Sequence, residues 1–387
     1  MADTYGAIVI GLGGMGSAAL FHLATRGARV LGVDQFVPPH DRGSSHGLSR
    51  IIRLAYWEHP AYVPLVRRAY QLWRELEITS GIPLLTVTGS LDIGAPDGRL
   101  YSGSLQSAIR HGLPHEDLSA AEVVDRFPGF RLPASVRAVF QPDGGSLRPE
   151  EAILAHLELA SAAGAEIHTG ERVVEWRAAD DTVVVTTDSR TYRCARLVIT
   201  AGPWSQTLLA GRIPLALVPE RQVVAWTRPL TDAFRPGRFP VFYMDVDEGR
   251  FYGFPEDHVG FKIGKYHHLE QVADPDRASQ AITPEDVAIL TDAVAKYFPG
   301  ANGAVVRAET CLFTNTADEH FVIGSIPGSS NVVMAGGCSG HAFKFCSVIG
   351  EVLGDLVTQS VSPFDMTLFD PARPLDAETQ RDRTPSR

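Results

Sequence analysis

The sequence predicts an α/β dinucleotide-binding domain combined with a region of antiparallel β-sheet, and three observations carry that prediction. Residues 7–10 form a short apolar run rich in β-branched side chains, followed by Gly11-Leu12-Gly13-Gly14-Met15-Gly16 and then by apolar groups at helical spacing. That order reads as strand, tight turn and helix. A second unit of the same kind lies near the end, with a strand at 332–335, Gly336, Gly337 and Gly340, and a helix from about 343 to 357. Between the two, residues 223–226, 241–244, 251–254 and 261–264 read as strands of an antiparallel sheet.

In the first unit each glycine has its own task. One permits the turn, one lets the backbone approach a pyrophosphate, and Gly16 lets the helix lie close to the strand. A bound diphosphate then faces the helix N-terminus. The next strand, 29–33, ends in Asp34, at the distance beyond the glycines where a carboxylate accepts hydrogen bonds from a ribose. The motif says adenine dinucleotide without choosing between FAD and NAD.

Bulk properties narrow the class. A chain of 387 residues is too long for one average core, so two domains are expected. A formal charge of −10 argues against nucleic acid or an acidic membrane as partner. No run of eighteen apolar residues occurs and a core strand begins almost at once, so neither a membrane span nor a signal peptide is expected. The last residues are not a peroxisomal address. Cys194, Cys311, Cys338 and Cys346 show no zinc or CxxC spacing, which fits a reducing cytoplasm and single-residue roles.

Along the chain, 37–47 is a loop by its Pro, Gly and Ser content. Residues 48–53 carry Arg50 and Arg53 three apart, which on a helix would share one face. A helix follows through Val66, Ala69, Tyr70, Trp73 and Leu76, stopped by Gly81-Ile82-Pro83. Then come a strand at 84–93, a helical patch at 105–109, a turn-rich passage at 128–145, a helix at 150–163, and strands at 166–168, 173–176, 182–187 and 197–200. Residues 201–204 turn tightly, 284–297 form one helix, and the tail from Pro371 is too charged and apolar-poor to pack. No internal repeat is visible.

Amides at the second glycine turn can hold an electron-rich atom, and in a flavoprotein the useful target is the carbonyl end of the isoalloxazine ring. Two glycine turns at opposite ends of the chain therefore favour FAD over NAD. The remaining candidates have plain alternatives. Lys262 between Phe261 and Ile263 could be the solvent face of a strand or an inward ammonium. His46 in a Gly/Ser loop could be structural, and Cys311 between Thr310 and Leu312 reads by itself as a small buried hydrophobe.

Five separated motifs, GLGGMGSAA, GSSHGLSRIIRLAY, the pair FYGFP and GFKIGKYHH, ETCLFTNTADEHF and GGCSGHAFKF, occur in the order in which they stand in the monomeric sarcosine oxidase family, which includes N-methyltryptophan and pipecolate oxidases. The chain resembles that family over about residues 5–369. The resemblance implies a glutathione-reductase-like FAD domain, discontinuous over 1–84, 147–216 and 317–370, and a β-sheet substrate domain over 85–146 and 217–316, leaving 371–387 as a tail. It implies FAD joined through the Cys311 sulfur to its 8α-methyl carbon, held also by Gly11, Gly13, Met15, Gly16, Asp34, Ser44, Arg50, Val173, Gly202, Gly340 and Lys344. Arg53 and Lys344 would clamp a substrate carboxylate, His46 and Arg50 would sit by the flavin ring, Lys262 would face its N5 edge and assist O₂, and Tyr252 and His267 would line the pocket. No metal is implied, and the family suggests a monomer.

The chain departs from sarcosine oxidase at several places. Leu48-Ser49 stands for an acid-threonine pair, Phe313 for a tyrosine, and Cys338 for an apolar residue. The expected activity is oxidation of a secondary amino acid, N-methylated or cyclic, with O₂ reduced to H₂O₂. A dehydrogenase with another acceptor and a dinucleotide-binding module without turnover are the alternatives.

Overall fold

A computed structural model provides the fold and describes residues 4–375 other than 180, 210 and 360. At its centre the strand Thr4–Ile10 pairs in parallel with Val30–Asp34 on one side and Thr191–Ile199 on the other. Glu166–Thr169 and Ser329–Gly336 extend the parallel run outward. A parallel sheet is covered on both faces, so its strands are apolar throughout rather than alternating. Accordingly Ala7 and Val9 face a core shared with Leu20, Trp73 and Val348. Ile8 and Ile10 face another with Trp176, Val185 and Leu217. Val173–Ala179 and Thr182–Thr187 form an antiparallel hairpin on the sheet's flank.

The helix Gly14–Thr25 starts immediately after the first turn and packs against Cys346–Thr358. The close approach depends on glycines: a Cβ on Gly350 would lie 2.5 Å from the Ala18 Cβ. At Gly16 an added Cβ would lie 1.7 Å from the Gly11 carbonyl oxygen, so no side chain fits while the turn is closed. Gly16→Ala is therefore expected to abolish retention of FAD on gel filtration and to lower the thermal midpoint. Unchanged flavin content would contradict this account of the turn.

The second sheet has eight strands in the order Val305–Asn315, Val218–Thr227, Phe261–Lys265, Gly249–Gly253, Val241–Val246, Ser90–Gly94, Arg137–Gln141 and Glu116–Ser119. One face packs a phenylalanine-rich core, including Phe234, Phe239, Phe242, Phe261 and Phe298, beneath the helix Pro284–Tyr297. A small third sheet joins Arg50–Ile52, Gly145–Leu147 and Leu85–Val87. Among the described residues no helix is long and apolar enough to cross a membrane.

Several sequence expectations change. Residues 50–52 are extended, not helical, so Arg50 and Arg53 do not share a helix face. The strand expected at 84–93 breaks at Gly89, where φ is +75° and a Cβ would meet the Phe140 ring at 2.6 Å, and its halves join different sheets. The turn-rich 128–145 contains the strand Arg137–Gln141, and the helical patch at 105–109 is the end of Arg99–Arg110. The last helix begins at Cys346, after a 3₁₀ turn at Phe343–Phe345. The start of the expected tail is packed, since Arg373 is buried and pairs with Asp318 at 2.8 Å. Residues 376–387 lie outside the described part.

Candidate active site

A cavity of about 510 Å³ runs from the first glycine turn to the second. At one end it is lined by Gly11, Gly13, Gly14, Met15, Asp34, Val173 and Gly202, and at the other by Gly336, Gly337, Gly340, Lys344, Ser44, Arg50, Tyr243 and Phe313. These residues fit a dinucleotide on the structure's own terms. Gly14 and Met15 at the helix start line the cavity, and the Gly14 amide donates to Ser45 Oγ at 3.3 Å, also at the cavity wall. A Cβ on Gly11, where φ is +85°, would lie 2.6 Å from the Thr200 carbonyl oxygen. The Asp34 carboxylate is fixed by the amides of Leu12 (2.7 Å) and Phe36 (2.8 Å), which orient it while leaving further lone pairs for a ribose.

A second, smaller cavity of about 40 Å³ shares Arg50, Ile51, Tyr243, Phe313 and Gly340 with the first and adds His46, Tyr252, Phe254 and Cys311. The antiparallel sheet builds this end through strand alternation. One cross-strand row holds Tyr243, Tyr252, Gly264, Val224 and Glu309, and the next holds Lys262, Trp226 and Arg307. Cys311 lies two residues beyond Glu309 on the same strand and face. Gly264 leaves the space that the Tyr252 ring fills, since a Cβ there would be 2.5 Å from its hydroxyl.

Lys262 is 1% exposed and points inward. Its Nζ donates to the carbonyls of Gly47 (2.6 Å) and Ser49 (3.0 Å) and to Ser49 Oγ (3.2 Å), with the Phe254 ring 4.6 Å away. Burial, reinforced by Arg50, brings the ammonium down to about 7. The loop that receives it is held from the other side by Glu150, which accepts from the amides of Gly47 and Leu48 at 2.7 and 3.1 Å. Leu48 is in the left-handed region, with φ +70°. Arg50 donates to the carbonyls of Ser44 and Ser49, and the Ser44 hydroxyl to that of Leu312.

Lys344 lines the large cavity and is 2% exposed. Its Nζ donates to the His341 carbonyl (2.7 Å) and approaches the Tyr56 hydroxyl (3.4 Å). Burial and then Arg53 bring it down to about 7. Arg53 itself lines neither cavity. It is wholly buried, donates to both Glu58 oxygens (3.0 and 3.1 Å) and the Ala55 carbonyl, and lies 3.5 Å from Asp92. Burial opposes its charge, but Asp92 and Glu58 outweigh it and hold the guanidinium above its ordinary range. Burial likewise lowers His341 to about 4, so the Tyr56–His341 pair (2.7 Å) is neutral.

His267 lines neither cavity. With φ +53° it turns away to bridge Glu220 (3.0 Å) and Glu319 (3.0 Å), while His268 binds Asp286 (3.1 Å). Alternation from Lys262 through Gly264 instead brings Tyr266 against Cys311 and Phe313, and its hydroxyl donates to the Ser339 carbonyl. Sequence reasoning missed Tyr266, and the same period of two would have found it. It also missed Glu58, Asp92, Tyr56 and Tyr243, which no local pattern marks.

The bridge has a pH consequence. Burial disfavours the charged imidazole, yet Glu220 and Glu319 raise His267 from 6.5 to about 9. Its folded value exceeds its unfolded one, so the stabilisation is complete below about pH 6.5 and lost as pH rises through about 9. Wild type is expected to lose thermal midpoint across that window relative to His267→Gln. Parallel curves would exclude the bridge.

Comparison with known proteins gives a consistent family. Residues 7–356 match the DAO family, described as FAD dependent oxidoreductase. The monomeric sarcosine oxidase of Streptomyces avermitilis is 41% identical over 381 residues, covering 96% of this chain and 98% of that protein. The N-methyl-L-tryptophan oxidase of Salmonella dublin is 34% identical over 367 residues, covering 94% and 98%. Among solved structures, the open form of NikD, described as an unusual amino acid oxidase essential for nikkomycin biosynthesis, superposes with a TM-score of 0.84 at 27% identity, covering 96% and 98%.

Proposed function

Because this chain belongs to the DAO family of FAD dependent oxidoreductases, we propose that it oxidises the C–N bond of a secondary amino acid, N-methylated or cyclic, to the imine and reduces O₂ to H₂O₂. The observation that carries this reading is a cavity of dinucleotide size that buried Lys344 lines and that adjoins the smaller cavity of buried Cys311, where buried Lys262 donates to the Gly47 carbonyl at the wall. FAD, when bound, supplies the two-electron acceptor that the amine reduces and O₂ re-oxidises.

The chain's residues divide the remaining work. Asp34 and the first turn hold the adenine dinucleotide end, and Gly340 and its neighbours hold the ring end. Lys344, at the cavity wall, receives the substrate carboxylate. Arg53 lies behind it and meets that carboxylate directly only if its pair with Glu58 opens, so in the closed cluster it acts through Tyr56 and Lys344. Tyr252 and Tyr243 wall the pocket with apolar surface that excludes water from the amine. Lys262 holds a positive charge where O₂ is reduced, which favours the developing anion. The relatives' names, sarcosine and N-methyl-L-tryptophan oxidase, share an N-methyl amino acid, and that class is the one we assign.

We assign the flavin a covalent link from its 8α carbon to the Cys311 sulfur, and the protein a monomeric state in the cytoplasm, where four unpaired cysteines are at home. The test is aerobic turnover of N-methyl and cyclic amino acids by wild type and Cys311→Ser. Wild type is expected to release one H₂O₂ per imine and to leave its yellow colour in an acid-precipitated pellet, whereas Cys311→Ser releases its flavin to the supernatant. Amine turnover without peroxide would make the protein a dehydrogenase.

A further inference from the structure

The thiol proposed to carry the flavin starts in the wrong state for bond formation. Cys311 is 7% exposed, and burial raises its thiol above the ordinary value despite Arg50 and Lys262 nearby. The sulfur is a nucleophile only as thiolate, so its proton must be taken away. Among the side chains lining the cavity that holds Cys311, His46 alone brings an imidazole, the side chain that most often serves as a general base. Arg50 cannot accept a proton, and burial raises the Tyr243 and Tyr252 hydroxyls well above their ordinary value. Lys262, just outside, already directs its hydrogens at the 47–49 loop.

The placement of His46 matches such a role. It is 7% exposed, and its Nε2 is buried without a hydrogen-bond partner among the described residues. A buried orphan of this kind calls for a function. Its other nitrogen, Nδ1, lies 3.8 Å from Glu309 Oε2. Burial would raise the Glu309 carboxyl, but His46 and Arg307 hold it at about 2, so it is an anion throughout the working range. A carboxylate facing Nδ1 favours the tautomer with its proton there and the lone pair on Nε2. Glu309 is two residues from Cys311 on one strand face, so strand geometry fixes orienting group and nucleophile together.

We propose that His46 is the general base for self-catalysed flavin attachment, with Glu309 as its positioning residue. The proposal rests on the Cys311 tether assigned above. In the step the thiol proton passes to His46 Nε2, one 8α C–H bond breaks with its proton going to solvent and its electron pair to the flavin ring, and the sulfur bonds to the 8α carbon. O₂ then takes the two electrons, with two protons in place of those lost by thiol and methyl, as H₂O₂. The balance is one thiol, one methyl-flavin and one O₂ giving one thioether-flavin and one H₂O₂.

The test mixes full-length apoprotein, grown under riboflavin limitation, with FAD in air and follows acid-stable flavin in the pellet against time. His46→Ala is expected to take up FAD reversibly but to tether it about 100-fold more slowly, with imidazole in the buffer restoring the rate. Glu309→Gln is expected to slow tethering less and to gain little from imidazole, which gives a second reading should His46→Ala fold poorly. Tethering by both variants at the wild-type rate would overturn the proposal. So would a slow His46→Ala that imidazole leaves unchanged and His46→Gln restores, since that marks a space-filling role. If wild type forms no acid-stable flavin, the tether itself fails, which is a separate and distinguishable result.

Discussion

Lys262→Met is expected to slow re-oxidation of the reduced protein by O₂ about 1000-fold, the scale on which removal of one preorganised electrostatic group acts, while reduction by the amine changes far less. The reason is burial. An ammonium 1% exposed, beside the Phe254 and Trp226 rings, acts in a medium of low polarity, where its charge is worth most to an anion forming nearby. Met keeps the length and apolar bulk of the lysine stem and removes only the charge. Stopped-flow mixing of photoreduced protein with aerated buffer reads this step alone. The sign of the pH dependence follows from a value of about 7: the ammonium is charged below and neutral above, so the wild-type rate constant falls as pH rises through that value. Lys262→Met is expected to be flat there, and a wild-type profile in both would move the oxygen site elsewhere.

The second large effect concerns stability. Arg53→Met is expected to cost about 3–5 kcal/mol, the range for removing one partner of a buried ion pair. Glu58 and Asp92 lie beside it, 6% and 0% exposed, and neither reaches water once the guanidinium is gone. Thermal melts monitored by circular dichroism measure the loss. Adding Glu58→Gln to Arg53→Met should recover part of it, because one uncompensated charge is then removed. If Arg53→Met melts with wild type, the cluster is not the fixed base beneath Lys344 that we describe.

How far these residues were legible in the sequence follows from how local their determinants are. The first glycine turn was legible because all of its requirements sit within 7–34: an apolar strand, glycines where Cβ atoms would collide, and an acid ending the next strand. Lys262 was half legible. Alternation puts it opposite Phe261 and Ile263, but that its face is buried depends on a loop more than 200 residues earlier folding over it. Arg53 was read for its charge alone, since Asp92 joins it only once Ser90–Gly94 docks in the second sheet, and Glu58, five residues on, meets it across an irregular turn that carries no period. Glu116–Ser119 was missed because an edge strand with a half-exposed polar sequence carries no apolar alternation. His267 was expected to line the pocket, but a strict period of two from Lys262 leads to Tyr266, which packs against Cys311 and Phe313.

The central claim is that a secondary amine carboxylate gives electrons to a flavin held beside Lys344 and Lys262. Anaerobic titration of the purified protein with sarcosine, N-methyl-L-tryptophan, pipecolate and proline, followed by absorbance, tests it most directly. At least one of these amino acids is expected to bleach the flavin fully, and admitting air should restore the colour with one H₂O₂ per flavin. A yellow protein that none of them bleaches would contradict the account.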